Sequence, residues 1–83
     1  MNEQQLDEMA ARCERAAPGP WLSYVEGRDH ESGSNFIRTG GLNGEDLKLS
    51  GASVADQDFI AHARQDLPAL IAEVRRLRRL LGQ

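Results

Sequence analysis

Nine consecutive residues, Glu26-Gly27-Arg28-Asp29-His30-Glu31-Ser32-Gly33-Ser34, hold five ionisable side chains and two hydroxyls. Loops that carry function gather such groups. Arg28 offers a planar fork that suits a phosphate or carboxylate, and Arg38 follows ten residues on. His30, Ser32, Ser34 and the amides around Gly33 can add polar contacts to an anion. Trp21 and Tyr24 lie just upstream and carry rings able to stack on a base or to fill a core. Together Trp21, Tyr24, Arg28, His30, Ser32, Ser34 and Arg38 make a candidate ligand-binding set. The same composition also suits a solvated hairpin that keeps a sheet edge soluble.

Other groupings carry less. Asp29, His30 and Glu31 are consecutive, so their side chains diverge and make a poor acid–base or metal constellation. Asp58 and His62 stand four apart on a helix, which predicts a surface hydrogen bond. Arg75, Arg76, Arg78 and Arg79 form a basic cluster. Cations are favourable near a helix C-terminus, and no aromatic residue interleaves them for stacking, so nucleic acid is not the expected partner. Cys13 falls on an apolar stripe and reads as a small hydrophobe. No nucleophile elbow, phosphate-binding glycine loop or zinc-ligand spacing occurs. The expectation is a protein without catalytic residues, metal or cofactor.

The expected fold is α+β. Residues 3–16 predict a first helix, with Leu6, Met9, Ala10, Cys13 and Ala17 along one face. Pro18-Gly19-Pro20 stops it. Residues 21–25, 35–39 and 46–50 predict three strands in an antiparallel meander, with Asn43-Gly44 as a turn signal. Ser53 predicts an N-cap, with Asp56 three residues on. A helix then runs from Val54 to about Gln65 with Phe59, Ile60 and Ala63 as its buried stripe. Asp66-Leu67-Pro68 marks a break. Beyond it Leu67, Leu70, Val74, Leu77 and Leu81 step by three and four, with Ile71 beside them. Residues 54–81 therefore form either two helices or one kinked helix. Two heptads are shorter than a self-sufficient coiled coil. The stripe Leu67, Leu70, Ile71, Val74, Leu77 and Leu81 is the expected interface of a homo-oligomer.

The chain has 83 residues, 40% hydrophobic and 28% charged, with a net charge of −3. That describes one small domain. The charge is polarised, at −4 over residues 1–35, −2 over 36–59 and +3 over 60–83. An acidic front and a basic tail can attract one another within a chain or between copies. No apolar run reaches the ~20 residues of a membrane span, and the N-terminus lacks the features of a secretory signal. One cysteine makes no intramolecular disulfide, and a cytoplasmic setting is expected.

The ends of the chain carry a resemblance. ARCERAAPGPW (11–21) and DQDFIAHARQDLPALIAEVRRLRRLL (56–81) resemble small phage- and prophage-encoded proteins of the Ead-like group. The shared frame is an Ala-x-Pro-Gly-Pro-Trp turn and a later D-x-x-FIA-x-AR-x-DLPAL-x-x-EV-x-x-LR run. It covers 37 of 83 residues and omits the central loop. The resemblance implies a mobile-element accessory protein, possessing no catalytic residues to carry over, that acts by binding. The leading expectation is a non-enzymatic anti-defence protein that sequesters a phosphorylated nucleotide in an oligomer. A second is an immunity or inhibitor module whose acidic residues Glu26, Asp29, Glu31, Glu45 and Asp46 dock on a basic host protein. A third is a nucleic-acid-binding regulator using the arginine cluster.

Overall fold

The computed structural model describes residues 1–82. Two helices and a three-stranded antiparallel sheet make an α+β fold in the order α1 (Glu3–Arg15), β1 (Leu22–Tyr24), β2 (Phe36–Arg38), β3 (Asp46–Leu47) and α2 (Val54–Leu80). Both helices start with reciprocal caps. Asn2 and Gln5 exchange side-chain to backbone bonds of 2.8 Å, and Ser53 and Asp56 do the same at 3.0 and 3.1 Å. The sheet order β1-β2-β3 is the expected meander, with Tyr24 opposite Phe36, Leu22 opposite Arg38 and Arg38 opposite Asp46.

Every strand is shorter than its pattern predicts, and the backbone bonding explains two of the ends. The Trp21 N–H donates to the Gln65 side chain at 2.8 Å, and that amide donates back to the Trp21 carbonyl at 3.0 Å. The Val25 N–H donates to Asp29 Oδ2 at 2.8 Å. Side chains thus take the backbone at both ends of β1, which also blunts its free edge against strand addition. β3 stops at Leu47 because the chain must turn back through Gly51 (φ 81°) toward Ser53.

Of the two alternatives for residues 54–81, the structure has a single helix, Val54–Leu80, running through Pro68. An interior proline costs on the order of 3 kcal/mol. Packing on both sides of it offsets this. Gln57 and Ala61 are buried upstream, and Ile71 is buried downstream. The N-terminal half of α2 carries the sheet, and the C-terminal half carries α1 in antiparallel contact. Arg75 donates to Asp7 and Arg78 to Glu3, both at 2.8 Å, and Arg64 donates to the Ala17 carbonyl at 2.9 Å. The acidic front and basic tail therefore meet within one chain.

Continuity fixes which face turns inward, and this overturns the expected stripe of the first half. Phe59 is 75% exposed and Ile60 37%, while Gln57 and Ala61 face the sheet. Ile71 is also corrected. It is 6% exposed and belongs to the chain's own core, because it shares the inward face with Arg75 and Arg78, the residues that reach α1. The core is small, with Leu6, Val25, Ile37, Ala61 and Ile71 as its buried apolar residues. Among the described residues no helix is long and apolar enough to cross a membrane.

Gln57 joins helix to sheet. Its amide nitrogen lies 2.9 Å from Ser23 Oγ, 3.1 Å from the Tyr24 carbonyl and 3.2 Å from the Phe36 carbonyl. Gln57→Ala is expected to lower unfolding stability by about 1–3 kcal/mol in a urea titration, because two buried carbonyls lose their donor. Gly40 passes close to the Pro18-Gly19 turn, donating to the Pro18 carbonyl at 2.7 Å. A Cβ there would stand 2.2 Å from the Gly19 carbonyl oxygen. Gly40→Ala is expected to cost about 1–3 kcal/mol in the same titration, since backbone rather than a flexible side chain must yield.

Candidate functional site

The loop between β1 and β2 is bonded largely to itself. The Val25 carbonyl accepts from the N–H groups of Arg28 (3.1 Å) and Asp29 (2.8 Å), and Gly27 donates to the His30 carbonyl at 2.8 Å. Asn35 Oδ1 accepts from the Glu26 N–H at 2.8 Å, and Glu26 Oε2 accepts from the Gly33 N–H at 2.7 Å. Gly27 and Gly33 hold φ of 81° and 97°, which only glycine adopts without strain. The charges thus build a folded loop rather than a loose solvated one.

This loop lays His30 against the outer face of the sheet, opposite α2. The rings of Tyr24 and Phe36 stack at 5.1 Å across the β1–β2 pair, and His30 lies 5.0 Å from Phe36 and 6.2 Å from Tyr24. The Arg38 guanidinium sits over both rings, 5.7 Å from Tyr24 and 5.3 Å from Phe36. His30 Nδ1 accepts from the Ser32 N–H at 3.0 Å and lies 2.6 Å from Ser32 Oγ. Glu26 Oε2 lies 3.5 Å from the same nitrogen, and the buried Nε2 has no hydrogen-bond partner among the described residues.

Of the residues expected to bind a ligand, Tyr24, His30, Ser32 and Arg38 come together here. Ser34 is half-buried in the same loop. Trp21 lies elsewhere. Its indole N–H donates to the Ala17 carbonyl at 3.1 Å, and its ring borders an apolar groove of about 450 Å3 between the helices, beside Met9, Cys13, Ile60 and Leu67. Phe36 was not among the candidates. The signal for it was available, since one aromatic residue in each of two paired strands at matching distance from the loop predicts a cross-strand pair.

Both arginines assigned to an anion are already held by carboxylates. Arg28 grips Asp58 with two bonds, 2.8 and 3.0 Å, and Asp29 with a third at 2.9 Å. Arg38 grips Asp46 at 2.9 and 3.3 Å. Asp58 therefore pairs with the loop, and the Asp58–His62 hydrogen bond expected from the helix spacing does not form. The Arg28 hydrogen bond, helped by Ser23, lowers the Asp58 carboxyl to about 2. The same arginine and the Val25 N–H lower Asp29, and Arg38 lowers Asp46. Among the described residues, Glu31 and Glu45 make no ion pair with a cation. The arrangement is a ring platform capped by a neutralised arginine and bordered by carboxylates. No group of three or more metal-ligating side chains converges among the described residues. Compared with protein-family models, curated proteins and solved structures, the chain finds no match in any of the three.

The Arg28–Asp58 fork ties the loop to α2. A carboxyl lowered from 3.8 to about 2 adds stability above its usual value, and loses it as pH falls through about 2. Asp58→Asn is expected to flatten the acid limb of stability between pH 4 and pH 2, followed by circular dichroism. Amide exchange at residues 26–30 is expected to quicken in that variant at pH 6.

Proposed function

We propose that this protein is a non-enzymatic binding module whose working surface is the outer face of the sheet, and that its partner is a protein with a cationic surface. The observation that carries this reading is the prior engagement of Arg28 and Arg38. A phosphorylated nucleotide would have to displace Asp58 or Asp46 from a bidentate clamp and then sit among further carboxylates, at a cost in both bonds and charge. A cationic partner meets the opposite field. Glu31 and Glu45 speed its approach, and the Tyr24–Phe36–His30 platform supplies apolar contact area.

This favours the docking-module expectation over the nucleotide sponge. The arginine cluster offers nucleic acid little, because Arg75, Arg76 and Arg78 are occupied by Asp7, Glu73 and Glu3. A phage or prophage anti-defence role enters on the sequence resemblance alone, and a cytoplasmic setting goes with it.

Native mass spectrometry of the protein purified from bacterial cells under mild conditions tests the reading. The expected result is retention of one stoichiometric polypeptide, lost above about 0.3 M salt and lost in a Glu31→Lys, Glu45→Lys variant. Retention of a nucleotide-sized mass that disappears in Arg38→Ala would overturn it in favour of the sponge.

A further inference from the structure

With Phe59 and Ile60 facing outward, the exposed face of α2 holds an unbroken seven-residue repeat. Ile60, Ala63, Leu67, Leu70, Val74, Leu77 and Leu81 step by three and four over three heptads. Ile60 is 37% exposed, Leu67 48%, Leu70 61%, Leu77 46% and Leu81 74%. The sheet and α1 occupy the adjacent stripe, Ala63 and Val74 of the seam are half-buried, and Ile60, Ala63 and Leu67 also border the groove beside α1. Three heptads are the length at which such a seam sustains a coiled coil.

We infer that a second copy of this chain covers the seam, and that the two α2 helices pair in parallel. Area supports a second copy. A folded monomer of 9.2 kDa exposes about 4,900 Å2 by the size scaling of compact proteins. This chain exposes 5957 Å2. The excess, about 1,000 Å2, exceeds one partner's share of a stable interface, about 800 Å2. Its shape agrees, because a radius of gyration of 15.6 Å exceeds the ~12 Å expected of a compact chain this long. Leucine at Leu70 and Leu77, with Ile60 and Val74 at the alternate core positions, suits two strands.

Charge decides the direction. The positions flanking the seam are Phe59, Asp66, Glu73 and Leu80 on one side, and Arg64, Ile71 and Arg78 on the other. In a parallel pair each residue of the first set faces the residue five later on the second copy. Glu73 then meets Arg78 as an added partner, since Arg76 already holds Glu73 within its own chain and Arg78 already donates to Glu3 and to the Met1 carbonyl. Phe59 meets Arg64 at the edge of the apolar groove that Trp21, Met9 and Cys13 line. In an antiparallel pair, the register that joins Ala63 to Leu81 sets Arg64 against Arg78 and Glu73 against its own copy, and the register that joins Ile60 to Leu77 sets Asp66 against Glu73. Like charges meet in either register. Parallel pairing places the two sheets at the same end of the assembly, with their outer faces turned in opposite directions about the two-fold axis.

Analytical ultracentrifugation of the full chain at micromolar concentrations is expected to show a dimer. A monomer throughout, or a larger assembly, overturns the inference. Leu70→Glu is expected to raise the dimer dissociation constant by about a hundredfold or more with unchanged helical circular dichroism, since Leu70 is exposed in the single chain. An unaffected dimer in that variant means the seam is not the interface. In a Cys13→Ala background, Leu77→Cys is expected to form a 77–77 disulfide under mild oxidation. A chain that sediments as a dimer and yields no such crosslink overturns the parallel direction. These readouts depend on α2 alone, so they stand or fall separately from the reading of the sheet face.

Discussion

The phase of α2 as it passes through Pro68 governs the rest of the molecule. A helix of 27 residues is ~40 Å long, and nothing else in the chain approaches that length. Had the chain broken at Asp66, each half would have been free to turn its apolar residues inward. One rigid rod denies that freedom. Gln57, Ala61 and Ile71 face the body, and the larger apolar residues Phe59, Leu70 and Leu77 face out. The result is a molecule 52 Å long with a small core and a long exposed seam. In such a chain polar joints supplement a limited apolar burial. Gln57 and Gln65 each hold sheet backbone to helix through their amides.

The same economy governs the charges. Four arginines are used to hold two elements together. Arg28 ties the loop to α2, Arg38 ties β2 to β3, and Arg75 and Arg78 tie α2 to α1. Each pair is exposed enough that its worth in stability is modest, but together they set the geometry of a chain with little core. With its arginines committed, the sheet face presents rings and carboxylates.

Local signals were the most legible part of the fold. Ser53 caps α2 as expected, the meander has the expected order, and the Pro-Gly-Pro turn follows the end of α1 before the sheet. Strand ends were less legible, because Gln65 and Asp29 claim backbone groups that belong to a ladder in an isolated pattern. The candidate site was legible in composition and not in pairing. Tyr24, His30 and Arg38 do converge, but Asp58 and Asp46, which neutralise the arginines, come from distant positions or from an adjacent strand. Phe36 completes the cluster through register, which depends on which residues the turn brings opposite.

The sequence by itself determined the element types, their order, the Ser53 cap and the apolar stripe over residues 67–81, because each follows from neighbours within a few residues. Tertiary structure alone decided that α2 continues past Pro68, that Phe59 and Ile60 lie outside while Gln57 and Ala61 lie inside, and that Arg28 answers to Asp58. Those outcomes turn on competition between contacts remote in the chain. A proline's local cost is set against packing on both its flanks, and a cation's partner is chosen among all the carboxylates that the fold brings within reach.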